Sequence, residues 1–337
     1  MKTLLVLLAC CFFGFSFAAE AEPRDTPLRV IAPTNRCEAA VFSPDGRSLA
    51  AFLADEGVRI FAWPDGKELA HLPIKKTGFG PLAWSSTGLI AAGGSEQKSI
   101  LLWNPSGEEP SRILQPESRS PRALDCLAFS PNGDRLAVGD RAGSIFIYTV
   151  GSGGLNQTLN GHVAGIFSLA WSPDGTRLAA ASGDNDISFW SPASGSLVRQ
   201  IDTLTHATFA LAWSRDSKTL YSGGASGTIS AWSSEDGVRI RESKRQSDLV
   251  LTLALSSDEH FIAAGGLNPN AFSDPATVIL YDPRTFDLKR VIRAHQGGVM
   301  ALSFSRDNTS IISASDAEPA IKVWKTKIAS PRESGSK

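Results

Sequence analysis

The sequence predicts an all-β chain folded as a seven-bladed β-propeller of four-stranded antiparallel blades. Three observations carry that expectation. A short motif recurs seven times at intervals near 42 residues. Each copy is followed by the same succession of short, strand-like segments, and outside the first residues no apolar run approaches the roughly 20 residues of a membrane-spanning helix.

The recurring motif is a large apolar anchor followed by a tight turn. It reads Phe42-Ser-Pro-Asp-Gly46, Trp84-Ser-Ser-Thr-Gly88, Phe129-Ser-Pro-Asn-Gly133 and Trp171-Ser-Pro-Asp-Gly175. Trp213-Ser-Arg-Asp-Ser217, Leu255-Ser-Ser-Asp-Glu259 and Phe304-Ser-Arg-Asp-Asn308 are decayed copies. The anchors are separated by 42, 45, 42, 42, 42 and 49 residues. A strand ends on the anchor, and the turn then reverses the chain, because Pro presets φ while Asp and Gly tolerate the turn conformation. A second strand follows, as in Arg177 to Ser182 with its alanine-rich core. A third alternates and closes on Trp63, Trp103, Tyr148, Trp190, Trp232, Tyr281 or Trp324. A more polar fourth strand, such as Leu197 to Ile201, completes the unit. Four short strands per repeat is the composition of a propeller blade. All eight tryptophans fall on the anchor or third-strand positions, which gives them a structural role between packed sheets.

The first strand of each unit carries a finer signal. Counting back from the anchor, positions −2 (Ala40, Leu82, Leu127, Leu169, Leu211, Leu253, Leu302) and −5 (Cys37, Phe79, Leu124, Ile166, Thr208, Val250, Val299) are largely apolar. Strict alternation forbids an odd separation between two inward positions unless an extra residue intervenes, so a β-bulge is expected there. After Trp324 only a polar tail remains, and the missing fourth strand is found at the start: Pro27 to Pro33 resembles other fourth strands, such as Leu288 to Arg293. The N-terminal strand is therefore expected to pair in the last blade and remove an open sheet edge.

These repeats resemble the WD40 repeat family, over nearly the whole chain after its first residues. The best match is the fourth unit, with Gly161-His162 nine residues before the anchor Trp171 and then Ser182, Asp184 and Trp190. The resemblance implies a buried hydrogen-bonded set of His162, Asp184, Ser182 and Trp190 with a structural role. His295 keeps the spacing to Phe304, with Asp316 approximately at the acid position, while His206 stands two residues too close to its anchor. No unit ends its third strand on the Trp-Asp pair that names the family.

Residues 1–19 read as a secretory signal peptide: Lys2, an apolar run from Leu4 to Ala19, then Glu20, Ala21, Glu22 and Pro23. Cleavage after Ala18 and after Ala21 both satisfy the small-residue rule, so the cut is expected near 18–21. Residues 20–26 would then be a linker, 27–326 the propeller and 327–337 a polar, disordered tail. The expected destination is exported, periplasmic or extracellular, with no membrane span after cleavage. Such a cut leaves Cys37 and Cys126, on different blades, as two small buried hydrophobes.

With 33 Lys and Arg against 34 Asp and Glu, the chain has no charge bias toward nucleic acid. The histidines, His71, His162, His206, His260 and His295, are scattered, and no His-x-x-x-His or Cys-x-x-Cys pair suggests a metal. No phosphate-cradling loop or nucleophile elbow is present, so no cofactor and no catalytic residue is assigned. The repeated turn aspartates are poor candidates for a general base.

What the blades display is more informative. Position −4, beside the expected bulge, reads Glu38, Gly80, Asp125, Phe167, Phe209, Leu251 and Met300 around the ring. The resemblance implies that these side chains point to the upper rim, where partners dock. Phe167, Phe209, Leu251 and Met300 then form an apolar arc for a protein or peptide, flanked by Glu38 and Asp125; the same residues turned inward would plug the channel. An insert before the third strand of the sixth unit, Leu267 to Pro275, adds Phe272 to that face or is a neutral loop. Arg239, Arg241, Lys244 and Arg245 lie on a fourth strand, where cations discourage edge pairing. The expected function is an exported, non-enzymatic interaction scaffold. The alternative is an extracytoplasmic enzyme or small-ligand binder with Glu38 and Asp125 reaching into the axial pocket.

Overall fold

The computed structural model describes residues 26–31, 33, 35–74, 80–94, 99–107, 109–116, 124–203, 206–246, 249–267 and 275–326. The expected signal peptide, the linker up to residue 25, the tail from 327 and Phe272 lie outside them. The described chain forms seven four-stranded antiparallel sheets. Blade four is representative, with strands Ile166–Trp171, Leu178–Ser182, Asp186–Ser191 and Ser196–Asp202 in that spatial order. The innermost strands neighbour one another in chain order, and that of blade seven, Val299–Phe304, returns to that of blade one, Cys37–Phe42.

The N-terminal strand Arg29–Ile31 is the fourth strand of blade seven, antiparallel to Ile321–Lys325 with Arg29 opposite Val323 and Ile31 opposite Ile321. Ile31 is buried, so the staple is also an apolar one.

The core lies between the blades. Its apolar clusters each join two neighbours: Ile145, Ile147 and Leu159 of blade three pack with Ile166, Leu178 and Trp190 of blade four. Ile312, Ile321 and Ile31 of blade seven pack with Cys37, Leu49 and Phe61 of blade one. A blade cannot bury both faces alone, so adjacent sheets supply the cover and closure supplies it at the ends. Cys37 and Cys126 are free thiols buried in these layers, and burial pushes the Cys37 thiol up to about 12.

Each turn after an anchor is built by its serine. In blade one the Ser43 hydroxyl donates to Asp45 at 2.6 Å and accepts the Ser48 N–H at 2.9 Å, while the Arg47 N–H donates to the same carboxylate. The geometry recurs at Ser172 and Asp174, Ser214 and Asp216, Ser256 and Asp258, and Ser305 and Asp307. The following residue has positive φ in all seven turns, including the non-glycines Ser217, Glu259 and Asn308. Those three tie neighbouring turns together: Ser217 Oγ accepts the Asp174 N–H, Glu259 the Arg215 N–H and Asn308 the Ser257 N–H.

One aromatic departs from the expected pattern. Phe61, not Trp63, is the register partner of Leu49 and closes the third strand of blade one, Gly57–Ala62. Trp63 lies beyond the strand end and meets Phe42 edge-on at 4.9 Å.

Candidate functional site

The bulges determine what the upper end of the ring presents. Pairing skips one residue between Cys37 and Ala39, Leu124 and Cys126, Ile166 and Ser168, Thr208 and Ala210, Val250 and Thr252, and Val299 and Ala301. The skipped residue is the −4 residue itself: Glu38, Asp125, Phe167, Phe209, Leu251 or Met300. An unpaired bulge residue is re-aimed relative to its strand. Because each innermost strand runs from bulge to anchor, these side chains stand at the end opposite the Ser-Pro-Asp-Gly turns.

Their environments differ. Phe167 is 39% exposed, while Phe209, Leu251 and Met300 are half-buried. Phe167 and Phe209 meet edge to face with ring centres 5.4 Å apart, so blades four and five share one aromatic ledge. The Phe167 ring also lies over Gly183, where a Cβ would come within 3.0 Å of it. Val163, which follows His162 at the same end, is 90% exposed. Nothing in the periodicity singles it out, because it lies outside the strand pattern.

The two acids have partners within the scaffold. Glu38 is buried and accepts the Gly80 N–H of the next blade at 3.1 Å, where a side chain on Gly80 would strike Phe52. Asp125 is clasped by Arg141, whose Nε lies 2.9 Å from both carboxylate oxygens. Burial nevertheless holds the Asp125 carboxyl above the usual range, against the opposing pull of Arg141. Both acids are engaged in the scaffold. Among the described residues no group of His, Cys, Asp and Glu is placed to hold a metal, and no helix is long and apolar enough to cross a membrane.

Just below the ledge lies the histidine set of blade four. His162 Nδ1 lies 3.1 and 3.0 Å from the Asp184 carboxylate oxygens and its Nε2 lies 2.6 Å from Ser188 Oγ, which accepts the Trp190 indole N–H at 2.7 Å. Partial burial opposes ionisation of Asp184, but the Val163 N–H and the His162 ring hold its carboxyl below the usual range. Ser182 is not the hydroxyl that joins His162 to Trp190: it donates to the Ala164 carbonyl at 3.0 Å and accepts the Asp184 N–H at 3.3 Å. The reason is register. Ser182 pairs with Ile166 at the strand end, whereas Ser188 stands opposite Ala180, level with the histidine.

Blade seven repeats the arrangement with different suppliers. His295 Nε2 lies 2.8 Å from Ser313 Oγ, which accepts the Trp324 indole N–H at 2.8 Å. Glu318 rather than Asp316 faces His295 Nδ1, because the lengthened turn carries the acid two residues further on. The Lys322 ammonium donates to the same Glu318 carboxylate at 2.8 Å. Burial holds His295 below the ordinary histidine range, Lys322 reinforces this, and Glu318 opposes it.

The WD domain, G-beta repeat family model matches residues 115–149, 153–191, 198–233 and 286–325. Each match ends with the third strand of blade three, four, five or seven. A stretch of 112 residues, 33% of this chain, is 32% identical to telomerase protein component 1 of Rattus norvegicus, and it spans only 4% of that protein's length. A chain in a crystal structure of the mitotic checkpoint complex aligns over 97% of this chain and 100% of its own, with a TM-score of 0.79 and 21% identity, which is a likeness of fold. Matched repeats, seven blades and two buried histidine sets agree, and the chain carries WD40 repeats in a seven-bladed propeller.

Proposed function

We propose that this propeller is an exported, non-enzymatic interaction platform that binds a protein or peptide segment on the bulge-bearing end of blades four to seven. WD40 propellers typically serve as protein-interaction scaffolds. The observation that carries the reading for this chain is the aromatic ledge: Phe167 remains partly exposed although it touches Phe209. Covering a large apolar side chain stabilises a complex by roughly 1.5–3 kcal/mol, and rigid aromatics anchor interfaces. Leu251 and Met300 continue the arc, and Asp125 with Arg141 gives it a polar rim.

Export rests on the sequence of residues 1–19, and N-terminal sequencing of protein recovered outside the cytoplasm tests it: a start between 19 and 22 supports the reading, an intact Met1 opposes it. The binding reading is tested by affinity capture from the native host's exported fraction, with wild type beside the Phe167→Ser, Phe209→Ser double variant. A protein retained by wild type and lost by an equally folded double variant supports the ledge. Equal retention by both removes it.

A further inference from the structure

We propose a partner chemistry that rests on the platform reading: the cleft between blades four and five takes the carboxylate of an acidic side chain, carried by the same segment that lies on the aromatic ledge. The cleft has a volume of about 430 Å³, room for a side chain and the water that accompanies it. Thr208 lines it, and the next residue in the chain is Phe209 of the ledge, so one extended segment can touch both.

Blade five is polar where the other blades are not. Five residues before the anchor they carry Cys, Phe, Leu, Ile or Val, whereas blade five has Thr208. Thr208 is 5% exposed, and its hydroxyl has no hydrogen-bond partner among the described residues. Ser222 lines the same cleft and is as deeply buried. Its Oγ accepts the Trp232 indole N–H at 2.8 Å, while its own proton has no acceptor among the described residues. A buried hydroxyl left unpaired is costly, so both O–H groups favour an acceptor that enters the cleft.

Charge selects the kind of acceptor. Arg239, Glu242 and Arg245 stand on the cleft wall. Arg239 Nη1 lies 3.0 Å from Glu242 Oε1, and Thr228 and Ser230 donate to the same carboxylate at 3.2 and 3.3 Å. Glu242 is thereby occupied and its charge balanced. Arg245 is exposed and has no ion pair among the described residues, which leaves the cleft one positive charge in excess. His206 also lines the cleft and is already engaged within the chain, so the excess does not depend on it. A carboxylate accepts hydrogen bonds, donates none and pairs well with a guanidinium. An ammonium, which only donates, would face the Thr208 and Ser222 protons and the Arg245 charge.

The test pans a displayed library of short random peptides on the folded chain. The affinity of the strongest peptide is then measured beside a copy in which its Asp or Glu is replaced by the amide. Enriched peptides should combine a large apolar residue with Asp or Glu. Exchanging acid for amide should weaken binding to wild type at least about tenfold, and binding to Arg245→Gln or Thr208→Val only about two- to threefold, because those variants have lost the groups that sense the charge. Blades six and seven carry Val250 and Val299 at the Thr208 position, so the valine variant suits the fold. Enriched peptides with an apolar residue but no acid, or an equal loss in wild type and both variants, overturn the cleft assignment and leave the ledge standing. Acidic peptides held equally by the Phe167→Ser, Phe209→Ser variant overturn the joint site. Absence of any enrichment removes cleft and ledge together.

Discussion

Ala180 and Ser188 are register partners across the second and third strands of blade four, and the corresponding pair in blade seven is Ser313 and Lys322. The hydroxyl that joins histidine to tryptophan therefore comes from the third strand in one blade and from the second in the other. Cross-strand partners point to the same side of a sheet, so either strand delivers the oxygen to the same place. Blade five follows blade seven, with Ser222 bonded to Trp232.

Ser188→Ala should destabilise the fold by about 1–3 kcal/mol, because it strands two buried nitrogens, His162 Nε2 and Trp190 Nε1. Adding Ala180→Ser should restore most of that loss by moving the hydroxyl to the strand that blade seven uses. Urea unfolding of wild type, single and double variants checks this. A double variant no more stable than Ser188→Ala would show that the two strands are not equivalent.

Blade two carries the opposite defect. Its corresponding pair is Ala92 and Leu101, neither of which has a hydroxyl, and the buried Trp103 Nε1 has no hydrogen-bond partner among the described residues. Ala92→Ser should supply one and raise stability by about 1 kcal/mol. A denaturation midpoint unchanged or lowered would contradict the assignment.

The sequence carried most of the fold because the repeat is spelled out in the anchors, the turns and the third-strand aromatics. Even the bulge was legible, since two apolar positions an odd distance apart are incompatible with a regular strand. Ser182 was misplaced because Ser182 and Ser188 both lie within reach of the family's spacing, and only register separates them. Trp63 was misplaced for a similar reason, as Phe61 two residues earlier satisfies the same alternation. The bond from the Gly80 amide to Glu38 joins equivalent positions of neighbouring repeats, and nothing in the repeat pattern specifies that the acid turns to its neighbour.

Asn308 combines a left-handed backbone with bonds to Ser257 of the preceding blade. Asn308→Gly relieves the backbone and loses the bonds, so its stability should stay within about 1 kcal/mol of wild type. Asn308→Ala keeps the strain, loses the bonds and should cost about 1–2 kcal/mol. Thermal midpoints in the order glycine above alanine check the claim, and the reverse order refutes it.

Acid should destabilise the ring in two stages. His295 is held below the ordinary histidine value, so its neutral form favours the fold; that contribution is present above about pH 6.5 and lost as pH falls. The Ser43, Ser214 and Ser305 hydroxyls, with neighbouring backbone amides, hold Asp45, Asp216 and Asp307 below the carboxylate range. Their contribution is present above about pH 4 and lost below it. Urea midpoints measured from pH 8 to pH 3 should fall in both windows, and His295→Gln should remove the first decline while leaving the second. Stability that rises between pH 7 and pH 5 would contradict the assignment.

The proposed binding surface is the bulge-bearing end of blades four to seven. Hydroxyl-radical footprinting of the propeller with and without its captured partner tests this most directly. Phe167, Phe209, Leu251 and Met300 should be protected, with the Ser-Pro-Asp-Gly turns at the opposite end unchanged. Protection confined to those turns or to the outer strands, with Phe167 and Phe209 still fully reactive, would contradict it.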